Sequence, residues 1–83
     1  MDFSTIIEKT NTFLTEEIEV DPAQLQLSAD LREDLGIDSL DFVDIVVLVE
    51  RNFGFKIKAE EMTEVRTLEA FYQYIDKKLK SVG

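Results

Sequence analysis

Apolar residues recur at helical spacing in three stretches of this chain, and residues that do not continue a helix separate them. In the first stretch Phe3, Ile6, Ile7, Thr10, Phe13, Leu14 and Ile18 mark one face, which predicts a helix from about Ser4 to Glu17. Thr5 with Glu8 fits a capping box, with Asp2 and Ser4 as further candidate caps. Asp21-Pro22 ends the segment. The second stretch is bracketed by Asp38, a good N-cap, and Gly54, a good stop, so its helix should begin just after Asp38 and finish near Phe53. In the last stretch Leu68, Phe71, Tyr72, Ile75 and Leu79 form the apolar face of a helix from Thr67, its cap, to about Leu79. Lys77, Lys78 and Lys80 sit favourably at its C-terminal end. A short helix is expected between these two, around Glu60 to Val65. Phe55-Lys56-Ile57-Lys58 alternates like a strand but has nothing to pair with. The expected fold is all-α: a four-helix bundle with a long first loop and a short third helix.

That first loop runs from about Glu19 to Ile37. Its residues Leu25, Leu27, Leu31, Leu35 and Ile37 are apolar and should hold it against the core, and a loop of this length in a compact domain is often functional. Ala29 to Leu35 is a candidate helical turn, and Gly36 suits a position of positive φ. With 83 residues the chain is expected to form a single domain, residues 1–83, with a thin core. It has no cysteine, so helix packing has to supply the stability.

Charge narrows the function. Residues 1–50 hold thirteen acids against two bases, about −11, whereas residues 51–83 hold five acids against seven bases, about +2. Such a field repels nucleic acid and anionic membrane surfaces and attracts basic partners. The longest apolar run, Ile45 to Val49, is too short to span a bilayer. No basic region followed by an apolar run opens the sequence, so a cytoplasmic protein without membrane insertion is expected. The chain has neither histidine nor cysteine, the commonest general base and the strongest nucleophile, so no catalytic residue is nominated and no enzyme is expected. No metal site is nominated either. Asp30 to Asp41 has the length of a calcium loop, but Arg32 stands at its third position, Leu35 at its glycine position and Asp41 where a glutamate is needed.

The second helix has two apolar faces. At 100° per residue, Phe42, Ile45, Val46, Val49 and Phe53 fall on one side, while Leu40, Val43 and Val47 fall on the other with Asp44 and Arg51. The short third helix could cover the second stripe. Alternatively the stripe, flanked by Asp41 and Glu50, is left open to receive partners.

Ser39 lies in Asp34-Leu35-Gly36-Ile37-Asp38-Ser39-Leu40-Asp41. Taken alone, Asp38-Ser39 is only the start of a helix. The whole octet resembles the modification motif of acyl carrier proteins, in which Asp-Ser-Leu follows a glycine-containing turn at the head of the second helix. The resemblance extends over nearly the whole chain, through the apolar-spotted loop, the Phe53-Gly54 break, the short third helix and the closing amphipathic helix. Phe42, Arg51 and Lys58-Ala59 depart from the pattern usual in fatty acid synthesis and leave the motif intact.

The resemblance implies that a phosphopantetheinyl transferase moves 4′-phosphopantetheine from coenzyme A to the Ser39 hydroxyl, with Asp38 and Leu40 beside the attachment point. The arm's thiol would carry an acyl group as a thioester to enzymes of fatty acid, lipid or polyketide-type synthesis. Free N–H groups at the helix N-terminus would favour the phosphodiester, with Asp38 and Asp41 opposing it. Leu40, Val43 and Val47, rimmed by Asp38, Asp41, Asp44, Glu50 and Arg51, would dock enzymes that carry basic patches, the carrier acting as a monomer. Two alternatives stand beside this reading: a carrier of aminoacyl or peptidyl groups, such as a D-alanyl carrier, and an unmodified acidic helical adaptor.

Overall fold

A computed structural model of the chain describes residues 2–82. It contains four α-helices: α1 (Phe3–Glu16), α2 (Ser39–Phe53), α3 (Ala59–Met62) and α4 (Leu68–Val82). A single 3-10 turn, Pro22–Gln24, interrupts the first loop, with the Asp21 carboxylate accepting from Ala23 N–H at its start. No strand forms among the described residues. The architecture is the expected all-helical bundle with a long first loop and a short third helix.

α1 packs against α4 and α2, and α2 against α3. Ile6, Phe13 and Leu14 from α1 meet Phe42, Ile45, Leu48, Val49 and Phe53 from α2 and Leu68, Phe71, Tyr72 and Ile75 from α4 in one cluster. The Phe13 and Phe71 rings meet edge to face, with centroids 6.4 Å apart. The Tyr72 hydroxyl donates to Asn11 Oδ1 and ties α4 to α1. Between α2 and α3 the chain is extended: Phe55 and Ile57 face inward while Lys56 and Lys58 face out.

Several boundaries differ from those read in the sequence. α1 starts earlier, so Thr5 lies inside the helix and the Thr5–Glu8 capping box does not form; Asp2 occupies the cap position and its carboxylate is not used. Phe3 is half-exposed, its ring set edge-on to Tyr72. The chain leaves α1 through Glu19, which adopts φ 65, a left-handed conformation that is strained for any residue with a Cβ. α3 stops at Met62, because Thr63, Glu64 and Val65 donate three residues back and tighten into a turn. α4 continues past Leu79 to Val82, and Thr67 Oγ1 caps it by accepting from Ala70 N–H at 3.2 Å. Leu48, assigned to neither stripe of α2, is buried.

The first loop lies against the core as expected, with one exception. Leu31 and Ile37 are buried and Leu25 and Leu35 are half-buried, but Leu27 is exposed. Leu27 sits inside a turn closed by Ala29 N–H donating to the Gln26 carbonyl, and the bend turns its side chain outward. Ala29 to Leu35 forms hydrogen-bonded turns rather than a helix. Asp30 Oδ1 accepts from the N–H groups of Arg32 and Glu33, each at 2.9 Å. These two bonds, then the charges of Arg66 and Arg32, hold the Asp30 carboxyl below the usual carboxylate range. Three bonds strap the loop to the start of α4: Leu31 N–H to the Arg66 carbonyl, Leu68 N–H to that of Ala29, and Glu69 N–H to that of Leu27.

Candidate functional site

The head of α2 is built by its own residues. Gly36 takes φ 70 and turns the chain, and Ile37 is buried behind it, its N–H donating to the Leu31 carbonyl at 2.9 Å. Asp38 then stands at the N-cap, with its Oδ1 accepting from Leu40 and Asp41 N–H, both at 3.0 Å. Asp41 Oδ2 accepts in return from Asp38 N–H at 3.2 Å, completing a capping box. Ser39 is the first residue of the helix and is exposed. Its hydroxyl makes no hydrogen bond among the described residues, so it is available for chemistry without loss to the fold.

Two of the N–H groups expected to be free at this helix end are not free. Those of Leu40 and Asp41 are taken by Asp38, so an anion on Ser39 would meet two carboxylates and lack the two donors most useful to it. A phosphodiester fits this exposed position sterically, held by its covalent bond rather than by a cradle of N–H groups.

Most of the other residues expected at the site lie on one face of α2, with Asp41 and Glu50 on its flanks. Leu40, Val43 and Val47 are 78%, 54% and 50% exposed, so α3 does not cover the outer stripe. Asp44 and Arg51 lie on the same side and, with Glu17, Ile18, Val47 and Leu48, border a shallow hollow between α2 and the end of α1. Glu50 stands at the edge, 4.0 Å from Lys56 Nζ. Arg51 has no ion-pair partner within 4.0 Å among the described residues. On the inner face Phe42 is buried, with the Arg32 guanidinium over its ring at 5.5 Å from the centroid. Sequence reading gave Arg32 no role; as one of two bases among the first fifty residues it was conspicuous, but its contact with Phe42 is tertiary.

A family profile described as a phosphopantetheine attachment site matches residues 12–75. The acyl carrier protein of Thermotoga maritima is 38% identical over 74 residues, covering 89% of this chain and 91% of its own. The chain belongs to the acyl carrier protein family. The acyl carrier protein of Thermosynechococcus vestitus is 33% identical over 79 residues, 95% of this chain and 98% of its own, and that of Helicobacter acinonychis 36% over 71 residues, 86% and 91%. Membership implies a covalently attached 4′-phosphopantetheine on this carrier. It also implies dealings with a phosphopantetheinyl transferase and with synthesis enzymes. No described helix of the carrier is long and apolar enough to cross a membrane.

Proposed function

We propose that Ser39 is the residue that bears the arm, and that this carrier presents acyl intermediates to enzymes of fatty acid, lipid or polyketide-type synthesis without catalysing a reaction itself. The observation that supports Ser39 is its exposed hydroxyl, unused by the fold, at the head of a helix whose cap is supplied by the preceding residue. In the loading reaction Ser39 Oγ bonds to phosphorus as the bond from phosphorus to the bridging oxygen of coenzyme A breaks. The leaving electron pair stays with the adenosine bisphosphate, and the serine proton passes to a base on the transferase. When bound, the group supplies a thiol that holds the acyl chain as a thioester, chemistry that a chain without cysteine lacks.

Leu40, Val43 and Val47 form the apolar contact, and Asp41, Asp44 and Glu50 the acidic rim, while Asp38 is engaged mainly as the cap. A carrier visits enzymes in turn, so a small contact with an electrostatic rim suits it better than a large buried interface. Partners present Lys and Arg around a shallow apolar groove, and Arg51 meets an acidic residue of a dedicated partner. The protein acts as a cytoplasmic monomer.

Incubation with coenzyme A and a phosphopantetheinyl transferase tests the assignment. Intact mass followed by fragmentation should place the added group on Ser39. Ser39→Ala should take up nothing and lose under about 1 kcal/mol of stability, because Asp38 keeps the cap. An unmodified parent would return the chain to the adaptor reading.

A further inference from the structure

The Arg32 guanidinium is tied to the arm-bearing turn through Phe42. A helical side chain covers the turn N-terminal to its own Cα, and residues three apart are neighbours on a helix surface. Phe42 stands three residues after Ser39, on the neighbouring turn of α2, and the Arg32 guanidinium lies over its ring at 5.5 Å. The loop holds Arg32 in place from both sides. Its own N–H donates to Asp30 Oδ1 at 2.9 Å, and the N–H of Leu31 donates to the Arg66 carbonyl at 2.8 Å. Stacking on the ring removes much of the freedom a surface arginine would otherwise lose on binding an anion. Arg32 forms no ion pair within 4.0 Å among the described residues.

The head of α2 is the complement of this cation. The Leu40 and Asp41 N–H groups are taken by Asp38, and the carboxylates of Asp38 and Asp41 are the charges nearest in sequence. A diester anion on Ser39 is poorly served by its own helix, and Arg32, over the Phe42 ring three residues further along α2, is the cation linked to that turn by a contact. We infer, on the reading that Ser39 bears the arm, that Arg32 is a positioning residue: its guanidinium pairs with the phosphodiester. The pairing turns the arm toward the cleft of about 300 Å³ bordered by Asp30, Arg32, Glu33, Thr63, Val65 and Arg66. The planar fork of a guanidinium suits two phosphate oxygens. The pair is exposed and therefore exchanges readily, so the arm stays clear of Leu40, Val43 and Val47 at rest and is released by a partner's own cations.

The test uses the protein loaded by a phosphopantetheinyl transferase, with phosphorus NMR and the Arg32 Nε–Hε resonance as readouts. Loading should shift the Arg32 resonance, and the phosphorus shift should depend on salt in the parent. In Arg32→Gln the phosphorus line should narrow about twofold as the diester moves freely, and its salt response should fall at least twofold, leaving the part due to Asp38 and Asp41. Arg32→Lys should retain more of the salt response, and Phe42→Leu, which keeps the charge and removes the ring, should fall between parent and Arg32→Gln. Identical phosphorus shift, width and salt response in the parent and Arg32→Gln, with the mass on Ser39, would overturn the role of Arg32 alone. A mass gain on another residue would overturn the Ser39 assignment and this inference together.

Discussion

α2 and α4 are equal in length, 15 residues each, and unequal in what they leave outside. α4 buries Leu68, Phe71, Tyr72 and Ile75 and exposes Glu69, Gln73, Lys77 and Lys80, the pattern of a helix that serves only the fold. α2 buries Phe42, Ile45, Leu48, Val49 and Phe53 and still leaves Leu40, Val43 and Val47 largely in solvent. Those three side chains lie outside the core cluster. If the outer face docks enzymes as proposed, the helix serves two clients, the core on one side and a visiting enzyme on the other, and its two faces should answer to different measurements.

The largest expected difference is between the inner face of α4 and the outer face of α2. Phe71→Ala, at a fully buried ring, should lower unfolding free energy by about 3–5 kcal/mol in denaturant titration. Val47→Ala should change it by under about 0.5 kcal/mol, as surface substitutions do, and should instead speed dissociation from a cognate enzyme. A large stability loss at Val47 would break the contrast. Next comes the acidic rim of the same helix. Reversing Asp41 and Asp44 together to Lys should slow association with the transferase severalfold at low salt and less at high salt, in stopped-flow measurements. An unchanged association rate at low salt would remove the outer face of α2 from docking. Asp41 also closes the capping box, so Asp44→Lys alone, which touches no cap, should reproduce part of the loss.

The smallest effect belongs to α4. The Tyr74 hydroxyl is shielded from solvent without a hydrogen-bond partner; burial, then the nearby Glu61 and the charge of Glu64, push its pKa up to about 12. Its folded pKa lies above the unfolded value, so its contribution is complete below about pH 10 and is lost as pH rises toward 12. Stability measured across that window should fall, and the fall should be shallower in Tyr74→Phe. Equal slopes in the two proteins would show that Tyr72, whose pKa burial also raises, governs the alkaline limb.

The second helix is legible in the sequence because both its ends are decided locally: Asp38 reaches only two and three residues ahead, and Gly54 answers a backbone angle, φ 81. The Ser39 motif is legible for the same reason. The start of α1 is not, because Asp2, Ser4 and Thr5 are all competent caps within four residues, and local sequence does not choose among them. Leu48 escapes a two-stripe reading because its direction falls between the stripes, and packing against α1 decides the matter. In the first loop there is no period to read, so Leu27 and Leu31 look alike until a turn sends one outward and the strap to α4 draws the other in. Arg32 over Phe42 joins residues from two elements, and no pattern within either element announces it.

The strap between the first loop and the head of α4 also has a kinetic consequence. Leu31 with Arg66, Ala29 with Leu68 and Leu27 with Glu69 are pairs 35, 39 and 42 residues apart in the chain, whereas the helices on either side are made of contacts within a few residues. Joining such distant points closes a large ring, and the chain entropy lost in doing so is recovered only once α4 has docked. The strap therefore belongs to the last part of folding and the first part of unfolding. Weakening it would shorten the lifetime of the folded state while leaving the speed of its formation nearly untouched.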